Sequence, residues 1–265
     1  MLRLAMAITF FYREDRLALL AKIASVASSY AKHTDIFVIT NTESLQERSL
    51  ILSCFSNTAL HTQIITPQWL GHPYLLAWSH LAVFRELIEQ GSNHSHYLYL
   101  EDDLLLAPEG ISYWLEAREH LRPFSLIPGF LRYEIRPSDQ TIVVGDITAR
   151  IALRDVPKVQ HEGKVFINLP FPYQAMYLLD QELMREHLAS PSSNPDFGRW
   201  NIREKAAQAL SFWGVPKGFH SRHMLPFDPR TRTIDHRCLV HHMPNNGAND
   251  PNSRFGKIPL ATLFE

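Results

Sequence analysis

The sequence predicts an α/β fold with a mostly parallel central sheet flanked by helices and a smaller mixed sheet in its second half. Three observations lead there. Short β-branched or apolar runs at Leu4 to Phe11, Asp35 to Thr40 and Leu60 to Thr66 alternate with segments of helical spacing. The spacers are long enough for the crossovers that parallel strands require. After residue 123 the alternation breaks into short strands rich in turn residues, which marks the second half as different.

Leu4 to Phe11 reads as a buried first strand. It runs into Arg13-Glu14-Asp15-Arg16 with no small-residue cleavage site, so it is taken as a strand and not as a secretory leader. Asp15 to Tyr30 carries Leu19, Leu20, Ile23, Val26 and Ala27 at helical spacing. A polar helix is expected from Thr42 to Phe55. Tyr74 to Gln90 is the most regular helix, with Pro73 before it and Gly91 placed to stop it. Tyr97 to Leu106 is an apolar strand that passes through Glu101-Asp102-Asp103 and resumes. A helix from Pro108 to about His120 follows, then short strands such as Gly129 to Ile135 and Thr141 to Thr148. Phe171 to Leu188 reads as strand then helix, Pro191 to Trp200 as a loop, and Asn201 to Trp213 as a helix. No repeat or composition shift demands a boundary, so one domain spanning 1–265 is expected.

The composition is that of an ordinary globular chain, with 45% hydrophobic and 20% charged residues among 265. With 26 basic against 27 acidic residues there is no overall field to attract nucleic acid or an anionic membrane, so an anionic ligand has to be met locally. The two cysteines, Cys54 and Cys238, form no CxxC pair, and no stretch approaches the roughly 20 apolar residues of a membrane span. A protein of a reducing compartment, cytoplasmic and at most peripheral at a membrane, is the expectation.

Three adjacent carboxylates at the end of an apolar strand raise one another's pKa and resist burial, a cost that a hard divalent cation offsets. On a strand Glu101 and Asp103 share one face and Asp102 takes the other. A solvated turn is the plain alternative. The run YLYLEDDLLL, Tyr97 to Leu106, resembles the strand and DxD-type acidic motif of GT-A glycosyltransferases, with Glu in the first position. The segment Cys238-Leu239-Val240-His241-His242, before a Pro-Asn-Asn-Gly loop, resembles the C-terminal histidine that completes the metal site in many of those enzymes.

The resemblance implies a GT-A, Rossmann-like fold, with 1–106 as the nucleotide-sugar half and 107–265 as the acceptor half. It implies Mn²⁺ or Mg²⁺ on Asp103 and His242, with His241 as the second choice. Glu101 or Asp102 then meets ribose or donor sugar, and Thr9, Phe10, Tyr12, Arg13 and Asn41 lie toward the nucleotide base. Trp78, His80 and Arg85 form a second rank. Arg254 and Lys257 would close over the diphosphate. Glu204, near the start of its helix, is the expected catalytic base of an inverting transferase, with Asp196 in reserve and Asp146 or Asp180 behind it. The implied partners are a nucleoside diphosphate sugar, UDP- or GDP-linked first, and a glycan, lipid-linked or protein acceptor. The other readings are a retaining transferase, a metal-dependent phosphoesterase or other hydrolase using the same acids, and a sugar-binding relic.

Overall fold

The computed structural model describes residues 1–56, 58, 60–68 and 70–265. The order begins with strand β1 (Arg3–Phe10), helix α1 (Leu17–Ala27), β2 (His33–Thr40), α2 (Leu45–Ser53), β3 (His61–Ile65), α3 (His80–Glu89) and β4 (His96–Glu101). β1 is buried along almost its whole length, as a strand covered on both faces should be, and its continuous apolar run reflects this. Helix α2 starts on Ser44, whose side chain accepts from the Glu47 amide, the first half of a capping box.

β1 pairs in parallel with β2 on one side and β4 on the other, and β3 continues beyond β2. The strand Met176–Asp180 adds antiparallel to the outer edge of β4. The sheet therefore reads Met176–Asp180, β4, β1, β2, β3, so the chain builds outward from β1 in one direction and then crosses to its other side. This reversal between β1 and β4 is a topological switch point, where the carboxyl ends of parallel strands leave a crevice.

The chain divides into two compact units, residues 1–104 with 175–210, and residues 105–174 with 211–265. Residues 175–210 thus belong with the first unit although they follow 105–174 in sequence. The second unit holds one sheet ordered Thr233–Ile234, His223–Asp228, Lys164–Ile167, Lys158–His161, with Ile127–Pro128 also on His223–Asp228. Another is ordered Ile258–Pro259, Ile142–Val144, Leu131–Ile135, Leu239–His242, Leu104–Leu106. Both contain parallel and antiparallel pairs or lie beside them, so the architecture is α/β with several mixed sheets.

Two expected helices differ. Tyr74 to Gln90 is divided into a 3₁₀ segment, Pro73–Trp78, opened by the His72 side chain accepting from the Tyr74 amide, and α3. α3 stops at Glu89, and Gly91 closes it: at φ +67° its N–H donates to Ile88 O while Ser92 N–H donates to Leu87 O, a Schellman closure. Asn201 to Trp213 is helical only over Ile202–Lys205. Ala206 to Leu210 are all buried, so no solvent face organises a helix there, and Ala209 takes φ +41°.

α3 buries His80, Leu81, Val83 and Phe84, and Phe84 alone removes enough apolar surface to contribute about 2–3 kcal/mol. No helix among the described residues is long and apolar enough to cross a membrane.

Candidate functional site

In the first unit, β1 and β4 place Thr9 opposite Glu101 in register at the carboxyl ends of the sheet. β4 ends at Glu101, and Asp102-Asp103 form a turn before the chain resumes as Leu104–Leu106. The strand alternation expected of the three acids therefore stops at Glu101. Instead, Asp102 and Asp103 both face one guanidinium: Arg16 Nη2 donates to Asp102 Oδ1 at 2.7 Å and to Asp103 Oδ2 at 2.9 Å. Arg16 closes the 3₁₀ turn Glu14–Arg16 after β1, so the loop at the switch point supplies the cation.

Asp102 is buried and its Oδ2 has no hydrogen-bond partner. Burial, first of all, pushes its pKa up to about 8; Arg16 opposes this, while Asp103 and Glu101 add to it. A carboxyl in that state ionises readily only when more positive charge arrives, which suits a hard divalent cation.

The loop after β1 is locally braced. Asn41 Oδ1 accepts from the Tyr12 amide at 2.7 Å. Phe10 is buried and meets the half-buried Tyr12 edge-on at 6.0 Å, and Arg13 pairs with Asp15 at 2.6 Å on the surface. Thus Tyr12, Arg13 and Asn41 stand at the mouth of the β1 and β2 ends, while Phe10 is core.

Trp78 and His80 are core as well. Trp78 Nε1 donates to Ile202 O at 2.7 Å and packs with Ala77, Leu81 and Ala206. His80 stacks on Tyr99 with centroids 4.0 Å apart, and burial, ahead of a weaker opposing bond to Ala77 O, pulls its pKa to about 3. Arg85 is exposed on α3.

Glu204 lies in the first turn of Ile202–Lys205, within 3.3 Å of Arg203 Nη2. With His72, Tyr74, Asn201, Ile202 and Arg203 it lines an open concavity of about 490 Å³, in which Tyr74 is 54% exposed. Tyr99, two residues before Glu101, is fully buried, and burial, ahead of the charge of Glu101, holds its hydroxyl well above the usual tyrosine range. Asp196 sits in an exposed turn, Asp180 caps the helix Gln181–Ala189 through the Leu183 amide, and Asp146 is engaged by Arg132. Asp180 and Asp146 thus have structural work.

In the second unit, the strand Leu239–His242 sends its two histidines to opposite sides. His241 stacks on Tyr133 at 4.9 Å. His242 is buried, and its Nδ1 lies 2.6 Å from Glu134 Oε1, while Glu134 Oε2 accepts from the Ala248 amide at 2.6 Å. Burial would raise the Glu134 pKa, but the hydrogen bonds from His242 and Ala248 outweigh it and hold the carboxylate below its usual range. A histidine bonded to carboxylate through Nδ1 has its tautomer fixed with Nε2 as the basic nitrogen, the usual preparation of a metal ligand. Gly256, at φ +67°, closes the following loop against Glu134. Lys257 Nζ donates to Gly247 O and Asp250 O, both at 2.8 Å, so it holds this loop together; Arg254 lies over the Phe255 ring at 4.9 Å.

Arg16 and Glu134 are not singled out by the sequence. Each is recognised only through a partner 86 or more positions away.

No protein-family model matches this chain, and no curated protein matches it. Among solved structures it is similar to the crystal structure of a glycosyltransferase involved in the glycosylation of the major capsid of PBCV-1. Identity is 8% over 83% of this chain and 80% of that one, with a TM-score of 0.36. A likeness that loose carries no weight for the site.

Proposed function

We propose that this chain is a metal-dependent glycosyltransferase that moves a sugar from a nucleoside diphosphate sugar to an acceptor hydroxyl. One observation carries the reading. Three consecutive carboxylates sit at the carboxyl end of β4, beside β1, at the switch point of a parallel sheet, with Asp102 Oδ2 buried and unpartnered.

The donor set there is all oxygen, as Mn²⁺ or Mg²⁺ prefers. Asp103 is the proposed protein ligand in this unit. Within the second unit His242 has by itself the chemistry of a nitrogen ligand, since Glu134 leaves Nε2 as its basic nitrogen. A bound divalent ion would neutralise charge on the departing diphosphate. Arg16 supplies a second positive group at the same loop, able to pass from the two carboxylates to phosphate oxygens. Tyr12, Arg13 and Asn41 border the nucleotide end.

Glu204 is the proposed base. The acceptor oxygen attacks the anomeric carbon, the bond from that carbon to the diphosphate oxygen breaks, and the acceptor proton passes to Glu204, giving inversion. The exposed Tyr74 ring beside Glu204 offers an apolar face on which a sugar ring can lie.

The test is calorimetric titration with UDP-, GDP- and CMP-sugars in Mn²⁺ and again in EDTA. Binding of one nucleotide that vanishes with EDTA and with Asp103→Ala supports the reading. Equal affinity in Asp103→Ala refutes the metal assignment, and no binding of any donor refutes the transferase.

A further inference from the structure

We infer that the second unit carries a separate zinc-type metal site built from His120, His161 and Glu162. It is independent of the proposed donor site and does not rest on the transferase reading.

His120 lies in the last turn of the helix Pro108–Leu121. His161 ends the strand Lys158–His161, and Glu162 opens the two-residue turn that returns the chain as Lys164–Ile167. Glu162 and Gly163 both have positive φ, 48° and 77°, so the hairpin is a tight one whose geometry is set by the chain itself. One ligand atom from each of the three residues lies within 4.8 Å of the other two.

The second observation is one of unmet polar groups. The Nδ1 atoms of both His120 and His161 are buried and have no hydrogen-bond partner. His120 Nδ1 comes within 3.5 Å of Glu162 Oε2 without the alignment of a hydrogen bond. Two half-buried imidazoles whose buried Nδ1 atoms lack a hydrogen bond, beside one carboxylate, are an arrangement that a cation satisfies at a stroke.

The dimensions fit. Tetrahedral ligands at about 2.1 Å from an ion stand about 3.4 Å apart, close to the His120–Glu162 separation. The rings of His120 and His161 are 5.7 Å apart and inclined at 71°, with one nitrogen of each within 4.8 Å of the other. Phe124 stands edge-on to His161 at 5.6 Å and the Phe166 ring lies 6.1 Å from that of His120. Glu162 is 70% exposed in its side chain, so the fourth position opens to water. Two nitrogens and one oxygen select Zn²⁺ over Mg²⁺ or Ca²⁺, which take oxygen sets. Such an ion pins the hairpin tip to the helix end.

The test uses the full-length protein, without a histidine tag and in an Asp103→Ala background so that the proposed donor site does not contribute. Zn²⁺ uptake is measured by calorimetry, and Co²⁺ uptake by its visible spectrum, which reports tetrahedral coordination. One equivalent with a tetrahedral Co²⁺ spectrum is expected. His120→Gln and His161→Gln each weaken it tenfold to a hundredfold and Glu162→Gln about tenfold, with circular dichroism unchanged. Glu162 is exposed, so its variant remains informative if a histidine variant fails to fold. Absence of uptake by the parent protein, or parent-like uptake in His161→Gln or Glu162→Gln, overturns the site.

Discussion

Glu134 gives the sharpest single perturbation, because its two oxygens accept from two different groups at 2.6 Å and it is only 2% exposed. Glu134→Ala removes both acceptors and leaves the His242 Nδ1–H and the Ala248 N–H facing a cavity. A buried donor stripped of its acceptor costs about 1–3 kcal/mol, so the pair costs about 3–5 kcal/mol once partial relaxation is allowed. Glu134→Gln keeps the volume and one acceptor but turns an NH₂ toward the other donor, so about 2 kcal/mol is expected. The assay is urea denaturation followed by tryptophan fluorescence, read as the shift in midpoint at constant slope. The order wild type, Gln, Ala is the result expected. Glu134→Gln should also weaken Mn²⁺ binding tenfold to a hundredfold through the freed tautomer of His242. A Glu134→Ala midpoint equal to wild type would refute the account of the dyad as a buried, mutually satisfied pair.

Three further outcomes follow from other parts of the molecule. Gly256→Ala places a Cβ 2.5 Å from Ala248 N and 2.8 Å from Glu134 Oε2 at φ +67°, and strain plus overlap should cost about 2–4 kcal/mol. Gly91→Ala has the same φ with open space around it, so thermal unfolding should show it to be clearly milder. His80 and His187 are enclosed and neutral, their pKa values lowered by burial from 6.5 to about 3. Their contribution is therefore full above about pH 6.5 and drains as pH falls toward 3, because the unfolded chain takes up protons that the folded one refuses. His187→Gln should flatten the stability–pH slope near pH 5 by about 1.4 kcal/mol per pH unit, and an unchanged slope would contradict the assignment. Glu204→Gln should leave donor affinity intact and slow transfer by roughly 10² or more, and full activity would remove Glu204 from the role of base.

β1, β2 and β4 were legible because two-sided burial leaves continuous apolar runs, whereas the half-exposed β3 was marked only by its β-branched residues. β2 and β3 fall within Asp35 to Thr40 and Leu60 to Thr66 to within two residues. The acid triplet was legible for the opposite reason, as charge where a buried strand should continue. What sequence could not show is pairing between distant residues. Nothing near Arg16 announces that it meets Asp102, and nothing near Glu134 announces His242. The same holds for His120, whose neighbours at the hairpin tip come after two 3₁₀ turns and three strands. Trp78 was ambiguous for a different reason: a helical stripe reads the same whether it faces a ligand or Ala206, and here it faces Ala206. The failed helix at Asn201 to Trp213 belongs to this group, since full burial of Ala206 to Leu210 overrode a favourable local composition.

The return of Met176–Asp180 to the edge of β4 also bears on biosynthesis. β4 is complete once residue 101 has left the ribosome, but its outer row of amides and carbonyls has no neighbour until residue 180 follows. At roughly 5–20 residues per second this delay is on the order of 4–16 s. Throughout that interval the nascent sheet carries an apolar, unpaired rim of Tyr97 to Leu100, the kind of rim on which a second nascent chain can pair. Residues 105–174, which form part of the other unit, are made entirely within the delay. Slowing translation over that stretch would lengthen the exposure of the rim.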